Sequence, residues 1–209
     1  MGLVKLFSPF YWKEKLEGHA QIKNEYVPQM LENYHEAPLA SGDWNVHTSY
    51  DNEHSLKNQI DWNIAFPYYS KHINKFLTEY LGDGDHHWSV CGGMWYTAYG
   101  TGQTANIHEH IPDNFSIVHF IKFNPNEHWP ITFINPQSST IKYMLDLNPQ
   151  LKNKINFNNS DQSLYHPRFT PNISEGDIVI FPSQLEHMVP KSDSDEIRIT
   201  VAFNIRIDK

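Results

Sequence analysis

Hydrophobic and polar residues alternate along the C-terminal segment 197–207. One set comprises Ile197, Ile199, Val201, Phe203, Ile205 and Ile207, and the other comprises Arg198, Thr200, Ala202, Asn204 and Arg206. Successive side chains of a strand point to opposite faces of its sheet. The alternation therefore predicts a strand whose apolar face is packed and whose polar face meets solvent or lines a cavity.

Short segments with strand character follow one another from Trp88 onward. They cover residues 88–99, 104–111, 115–123, 129–135, 165–170, 177–181, 185–189 and 197–207. Turn-forming sequences separate them, such as Gly-Thr-Gly at 100–102. Eight short strands of this kind predict a mainly β fold, a jelly-roll or a related double-sheet barrel with a mouth that can hold a ligand.

Helical spacing marks the N-terminal third of the chain. One helical face comprises Val27, Met30, Leu31 and Tyr34, and a second comprises Ile73, Phe76, Leu77 and Tyr80. Pro28 would have to lie in the first turn of the first helix, and Gly82 is a stop signal after the second. We expect both helices to brace the outside of a sheet, and residues 44–50 to form a strand.

The chain length of 209 residues suits one domain. We expect that domain to cover residues 1–209, with 1–85 as N-terminal support and 86–209 as the β core. The Asn-rich stretch 151–163 is interpreted as a surface loop.

Composition excludes several classes of function. The formal charge is −8 and no basic run occurs, so we expect no nucleic-acid binding. No apolar stretch is long enough to span a bilayer, and the N-terminal sequence does not have the form of a signal peptide. We therefore expect a soluble, cytoplasmic protein. Cys91, the single cysteine, is interpreted as a small buried hydrophobe.

His108 and His110 are the first candidates for chemistry. On one strand they share a face, with Cα atoms about 6.5–7 Å apart, and their imidazoles can converge on one ion. Glu109 points to the opposite face, which makes it a weak ligand candidate. With thirteen histidines in the chain, a His-x-His pair also arises by chance, so the pair alone is a weak signal.

Two later residues strengthen the metal hypothesis. His187 follows a buried apolar strand, and a remote third imidazole is what a facial arrangement with open coordination positions needs. Arg198 follows eleven residues later, with Thr200 on the same face. A guanidinium that faces a cavity needs an anionic partner, and a diffusible diacid would supply one through two parallel hydrogen bonds.

These segments together resemble the 2-oxoglutarate- and Fe(II)-dependent oxygenases, and in particular a subfamily common in marine bacteria and phage. The resemblance rests on "MWYTAYGTGQTANIHEH", "GDIVIFPSQLEH" and "RITVAFN", and covers about residues 88–207. It implies a double-stranded β-helix in which His108, His110 and His187 hold Fe(II). It also implies a hydroxylase that couples oxidative decarboxylation of 2-oxoglutarate to C–H oxidation, with ascorbate as a supporting reductant.

The same resemblance implies the contacts of the cosubstrate. The keto-acid end of 2-oxoglutarate would chelate the iron, and its distal carboxylate would meet Arg198 and Thr200. Tyr99 is placed like a tyrosine that helps to hold the cosubstrate in prolyl-hydroxylase-like relatives, and Asn204 closes the same motif as a further cosubstrate contact.

One position departs from the wider superfamily, which has Asp or Glu where this chain has His110. A neutral imidazole leaves the iron more positive, so we expect weaker metal affinity without cosubstrate and greater dependence on the dianion. The change could also admit a halide or indicate an inactive site. Asp113 is a reserve carboxylate ligand. His119 is interpreted as a core or cavity-wall histidine and is a reserve imidazole.

Two rival functions stay open at the level of sequence. One is a cupin-like metal enzyme that does not use 2-oxoglutarate, and the other is a non-catalytic jelly-roll binding or structural protein. The expected partners of the oxygenase are O2 and a small-molecule or peptidyl substrate, and the sequence indicates no oligomeric state. The aromatic candidates for a substrate pocket are Trp62, Trp88, Trp95, Tyr96 and Trp129.

Overall fold

Two antiparallel sheets form the body of the protein in the computed structural model, which describes residues 9–36, 45–50, 60–154 and 166–208. The strands are β1 (Trp12–Lys15), β2 (His47–Thr48), β3 (Trp88–Tyr99), β4 (Ala105–His108), β5 (Phe115–Lys122), β6 (Thr132–Ile134), β7 (Arg168–Phe169), β8 (Asp177–Pro182), β9 (His187–Val189) and β10 (Arg198–Ile207). The major sheet has the order β1-β8-β5-β10-β3-β2, and the minor sheet has the order β4-β9-β6-β7. This architecture is the double-stranded β-helix that the family resemblance implied.

Helices α1 (His19–Glu36) and α2 (Phe66–Leu81) cover the outer face of the major sheet. A 3-10 turn (Trp62–Ile64) precedes α2, and α3 (Ser138–Leu147) and α4 (Pro149–Lys154) follow β6. Buried residues of α1 and α2 pack with the apolar side of β10, where Ile199, Val201, Phe203 and Ile205 are fully buried. Both the bracing role of the two helices and the packed face of the last strand are confirmed.

The inner face of the major sheet packs against the minor sheet around a central space. Phe120, Phe133 and Phe181 belong to an apolar cluster on one side of it, and Tyr99 and Val189 belong to a smaller cluster on the other. On this face of β10, Arg198, Thr200 and Asn204 are therefore buried, whereas Arg206 near the end of the strand is exposed. This arrangement decides the open question about the polar side of β10.

The first helix corrects the expectation for Pro28. Helix α1 begins at His19, so Pro28 lies inside the helix and not in its first turn. Buried Ile22, Tyr26 and Met30 anchor α1 on both sides of the proline, and this packing offsets the loss of one backbone hydrogen bond. Gly82 does end α2: its backbone N–H donates to the Thr78 carbonyl at 2.9 Å.

Several elements differ from the predicted ones. Strand β1 and helix α3 have no counterpart in the sequence analysis, and the predicted surface loop 151–163 begins inside α4, with residues 155–163 outside the described part. The predicted strand 104–111 ends at His108. Trp44, at the start of the predicted strand 44–50, also lies outside the described residues, and only His47–Thr48 form a strand there.

Two single residues complete the comparison. Cys91 is partly exposed and not buried as predicted, because it adjoins an irregularity of β3 that pairs Met94 and Cys91 with successive residues of β10. His119 is fully buried in the core, as predicted. Across the described ranges, no helix combines the length and apolar character needed to cross a membrane.

Candidate metal and cosubstrate site

Three imidazoles meet at one edge of the space between the sheets. His108 ends β4 and pairs directly with His187, the first residue of β9. His110 lies two residues beyond β4, and its ring centre is 5.0 Å from that of His108 and 5.2 Å from that of His187. The rings of His108 and His187 are 4.2 Å apart, so residues distant in sequence converge.

Hydrogen bonds to carbonyl groups select the tautomer of two of these rings. Nδ1 of His108 is 2.7 Å from the Asn106 carbonyl oxygen, and Nδ1 of His187 is 2.9 Å from the Leu185 carbonyl oxygen. A carbonyl only accepts, so Nδ1 carries the proton in both rings and the lone pair is on Nε2. Fixing one imidazole nitrogen in this way orients the other as a metal ligand.

Burial keeps the three imidazoles neutral. Burial, together with the smaller effect of the neighbouring His108, lowers the pKa of His110 to about 4 and that of His187 to about 3. Burial also lowers the pKa of His108. A metal ligand must be deprotonated, and all three rings therefore meet this condition at neutral pH.

Carboxylates do not join this group. Within the described ranges, the cluster of donor atoms that lie within 4.8 Å of one another consists of His108, His110 and His187. Asp113, the reserve ligand, instead accepts a hydrogen bond from Arg206 at 2.8 Å. Glu109 is exposed at the rim of the adjacent cavity. The donor set is thus three neutral imidazoles.

A cavity of about 250 Å³ extends from the imidazoles between the two sheets. Its inner wall includes Trp95, Thr97 and Tyr99 of β3 and Arg198, Thr200 and Ala202 of β10. Val118, Ile131 and Val189 add apolar surface, and Val46, Thr48 and Tyr50 come from the segment around β2. The imidazoles and the guanidinium of Arg198 therefore share one chamber.

Arg198 is the least satisfied polar side chain of this chamber. It is 3% exposed, and neither Nε nor Nη1 has a hydrogen-bond partner among the described residues. Its guanidinium carbon lies 4.6 Å from the Tyr99 ring centre and 5.5 Å from that of Phe120. Burial lowers the pKa of Arg198 to about 10, which leaves it charged at neutral pH. A buried, charged fork without an anion is strongly unfavourable, and the chemistry of the site therefore fits a carboxylate ligand.

The other predicted cosubstrate contacts differ in position. Thr200 and Tyr99 line the cavity. Asn204 is buried but is not among the cavity-lining residues, and its Oδ1 accepts a hydrogen bond from Ser116 at 2.9 Å. Although Asn204 shares the face of Arg198, it lies too far along β10, where Ser116 fills the space beside it. The structure therefore does not bring Asn204 to the cavity.

Among the predicted aromatic candidates, Trp95 lines the cavity. Its ring lies 5.9 Å from that of His110 and 4.9 Å from that of Tyr50. Thr97 also lines the cavity and was not among the predicted site residues. The period of two along β3, which puts Thr97 on the face of Trp95 and Tyr99, would have been sufficient to find it.

Comparisons with known proteins agree with this geometry. The family model described as "Putative 2OG-Fe(II) oxygenase" matches residues 93–204, which include all three imidazoles and Arg198. A search of the curated proteins found no match. The predicted likeness to a marine and phage subfamily stays a prediction.

Solved structures share the fold at low sequence identity. A prolyl-4-hydroxylase from Pseudomonas putida is 11% identical with a TM-score of 0.55, and the alignment covers 95% of this chain and 94% of that one. The α-ketoglutarate-dependent carbocyclase SnoK from nogalamycin biosynthesis is 14% identical with a TM-score of 0.56, covering 96% and 80%. A prolyl hydroxylase from Trichoplax adhaerens, solved with a hypoxia-inducible-factor peptide, is 10% identical with a TM-score of 0.54, covering 94% and 83%.

The family match spans more than half of the chain, and it includes the imidazoles and the guanidinium that one chamber brings together. The protein therefore belongs to the 2-oxoglutarate- and Fe(II)-dependent oxygenases.

Proposed function

We propose that His108, His110 and His187 hold the Fe(II) of this oxygenase and that Arg198, with Thr200, anchors 2-oxoglutarate in the same cavity. The enzyme hydroxylates a C–H bond of a small-molecule or peptidyl substrate. The single observation that carries this assignment is the buried guanidinium of Arg198, whose Nε and Nη1 have no hydrogen-bond partner in the part of the chain that the structure describes.

The need for an anion at Arg198 favours the distal carboxylate of 2-oxoglutarate. A carboxylate can accept two parallel hydrogen bonds from a guanidinium, and the hydroxyl of Thr200 on the same strand face can donate a third. The ring of Tyr99 lies against the guanidinium, and this contact supports the assignment of Tyr99 to the cosubstrate site. The keto-acid end of the same molecule would then lie on the side of the imidazoles.

The protein's own contribution is positioning and exclusion of water. When bound, the iron and 2-oxoglutarate supply the activation of O2, with succinate and CO2 as products. The three imidazoles would hold the metal, and the tautomers of His108 and His187 are fixed for it. Val118, Ile131 and Val189 add apolar surface to the chamber. Since three imidazoles leave further coordination positions, cosubstrate and O2 can both reach the metal.

The substrate side of the cavity is formed by the aromatic pair Trp95 and Tyr50, next to His110. An aromatic wall of this kind suits a small apolar or ring-shaped group, either free or on a peptide. The solved prolyl hydroxylase with its bound peptide makes peptides a reasonable class to screen beside free metabolites.

The test measures 2-oxoglutarate binding and succinate release in Arg198→Ala. We expect the wild-type protein with Fe(II) and ascorbate to bind 2-oxoglutarate and form succinate, and Arg198→Ala to lose both while keeping its circular dichroism spectrum. Arg168→Ala is the matched control, because Arg168 is exposed on β7. Normal succinate formation by Arg198→Ala would reject the anchor.

The same measurements separate the rival functions. A cupin-like enzyme would bind metal to its three imidazoles without binding 2-oxoglutarate. A non-catalytic protein would show neither 2-oxoglutarate binding nor turnover. An untargeted screen of metabolites and peptides with Fe(II), ascorbate and 2-oxoglutarate then identifies the substrate, and added halide distinguishes halogenation from hydroxylation.

A further inference from the structure

Three buried polar side chains lie next to the loop that carries His110, outside the cavity. They are Ser116 on β5, Ser183 after β8 and Asn204 on β10, and each is at most 6% exposed. Buried polar groups are costly unless they are hydrogen-bonded. Here all three are linked: Oγ of Ser116 is 2.9 Å from Oγ of Ser183 and 2.9 Å from Oδ1 of Asn204.

The direction of these hydrogen bonds is fixed by the donors available. The Oδ1 atom of Asn204 only accepts, so the single hydroxyl proton of Ser116 goes to Asn204. Ser183 must then donate its own proton to Ser116. Two consecutive hydrogen bonds, from Ser183 to Ser116 and from Ser116 to Asn204, consequently hold the side chain of Ser183 toward β10.

The backbone of Ser183 in turn holds both ends of the loop 110–114. Its carbonyl accepts from the His110 backbone N–H at 2.9 Å, and its N–H donates to the Asn114 carbonyl at 3.1 Å. His110 lies beyond the last residue of β4, so the regular strand ladder does not position it. The backbone hydrogen bonds of Ser183 position His110 instead.

The far side of the loop is also tied to β10. Asp113 accepts a hydrogen bond from Arg206, and the Asn114 side chain accepts one from the Ile207 backbone N–H at 2.8 Å. The loop is thus held from two directions. The Ser183 side is adjacent to His110 itself, whereas the β10 contacts act on residues three and four positions later.

We infer that Asn204 is a positioning residue for the metal ligand His110, acting through Ser116 and Ser183. The inference rests on the proposed iron site and assigns a role to a motif residue that does not reach the cosubstrate. In this role Asn204 fixes where the His110 backbone lies, and thereby how closely its imidazole approaches the ion shared with His108 and His187.

The test compares Ser116→Ala, Asn204→Ala and the double variant. Co(II) is the probe, because its visible spectrum reports coordination geometry, and competition titration gives its Kd. We expect each single variant to weaken Co(II) binding by about tenfold, as loss of an outer hydrogen bond to a metal site commonly does, and to alter the spectrum. The double variant should bind Co(II) as tightly as the single variants, because the effects of residues in one hydrogen-bond network do not add.

Ser49→Ala is the matched control. Ser49 is 4% exposed and accepts a hydrogen bond from the Tyr96 backbone N–H at 3.0 Å, but it does not line the cavity. Ser49→Ala should lower the melting temperature about as much as Ser116→Ala does, and it should leave the Co(II) Kd and spectrum unchanged. If Ser116→Ala does not fold, Ser116→Cys keeps the size of the side chain with a weaker donor and is read in the same way.

The outcomes separate the two proposals. Wild-type protein that binds no Co(II) contradicts the iron site itself. Wild-type protein that binds Co(II), with Kd and spectrum unchanged in both single variants, overturns the positioning role and leaves the iron site intact. Additive losses in the double variant also overturn it, because Asn204 and Ser116 would then act independently.

Discussion

Arg198 is unfavourable for the stability of the ligand-free protein. Its guanidinium is buried against Tyr99 and Phe120, and within the described ranges two of its nitrogens have no hydrogen-bond partner. The aromatic rings compensate a buried cation only in part. A residue in this state destabilises the ligand-free protein and becomes favourable when an anion arrives.

Arg198→Met should therefore raise the stability of the ligand-free protein. We expect a gain of about 1–3 kcal/mol in the free energy of unfolding, since a thioether of similar length removes an unpaired buried charge. Thermal melts with and without 2-oxoglutarate check this. The cosubstrate should raise the melting temperature of the wild type and not that of Arg198→Met. Arg168→Met, at an exposed position of β7, should change neither quantity, and a destabilised Arg198→Met would contradict the expectation.

His110 changes the charge of the site. Three neutral imidazoles leave the full charge on a divalent ion, so the dianionic cosubstrate should contribute more to metal retention than it does beside a carboxylate ligand. Binding of the metal and binding of 2-oxoglutarate are then strongly coupled, and the coupling is reciprocal.

His110→Asp tests this coupling. We expect it to tighten Fe(II) or Co(II) binding in the absence of 2-oxoglutarate by about tenfold and to reduce the factor by which 2-oxoglutarate improves wild-type binding. Titrations with and without cosubstrate measure both. His87→Asp adds the same charge at an exposed position and should have no effect. Wild-type metal affinity that does not respond to 2-oxoglutarate would refute the coupling.

For single residues, sequence spacing predicted the sheet face on which a side chain lies better than it predicted whether that side chain reaches the cavity. Alternation places Arg198 and Thr200 on the cavity wall, where the structure has them. The family resemblance assigned Asn204, on the same strand face, to the cosubstrate, but the cavity ends before it and Ser116 lies there instead. A period of two cannot show where along a strand a cavity ends, because that depends on the neighbouring strands.

Among the elements, those with a strong one-sided pattern were predictable. Strands β3, β5, β8 and β10 follow their sequence patterns closely, because each has an apolar face buried in the major sheet. Strand β1 was missed: its Trp-Lys-Glu-Lys sequence is half exposed at the sheet edge and carries little hydrophobic signal. Where the short strands of the minor sheet begin and end depends on partner strands that are distant in sequence, and a local pattern does not reveal them.

Helix α1 gives a prediction about Pro28. This residue is exposed in the helix interior, where proline removes a backbone donor and crowds the preceding turn. Pro28→Ala should raise the free energy of unfolding by about 1–2 kcal/mol, the helical gain being partly offset by a more flexible unfolded chain. Urea unfolding measures it. Gln29→Ala, at the next exposed position, should stay within about 0.5 kcal/mol of the wild type, and a destabilised Pro28→Ala would show that α1 requires its proline.

The two faces of the major sheet differ in what they contact: one packs with helices and the other lines the cavity. One face packs with α1 and α2 and holds a fully buried imidazole, His119, between the Tyr69 hydroxyl at 2.8 Å and His19 at 3.0 Å. The other face encloses the cavity with its three imidazoles. Both faces thus bury histidines, and they do so in their neutral form.

Acid should consequently destabilise the metal-free protein. Burial is the main cause of a lowered pKa at seven histidines: His19, His47, His108, His110, His119, His128 and His187. In the unfolded chain these groups take up a proton near pH 6.5, whereas in the folded protein they stay neutral to lower pH. Between the two pKa values the unfolded state binds more protons, so the free energy of unfolding falls as the pH falls.

Urea unfolding at about pH 7.5, 6.5 and 5.5 measures this loss while carboxylates remain ionised. Each shifted group contributes at most about 1.4 kcal/mol per pH unit, and together they should remove several kcal/mol, most of it below pH 6.5. His119→Gln, which keeps a polar side chain but does not titrate, should have a shallower dependence on pH than the wild type. A flat profile for the wild type would mean that the buried imidazoles accept protons in the folded state, and the neutral donor set assigned to the metal would then be wrong.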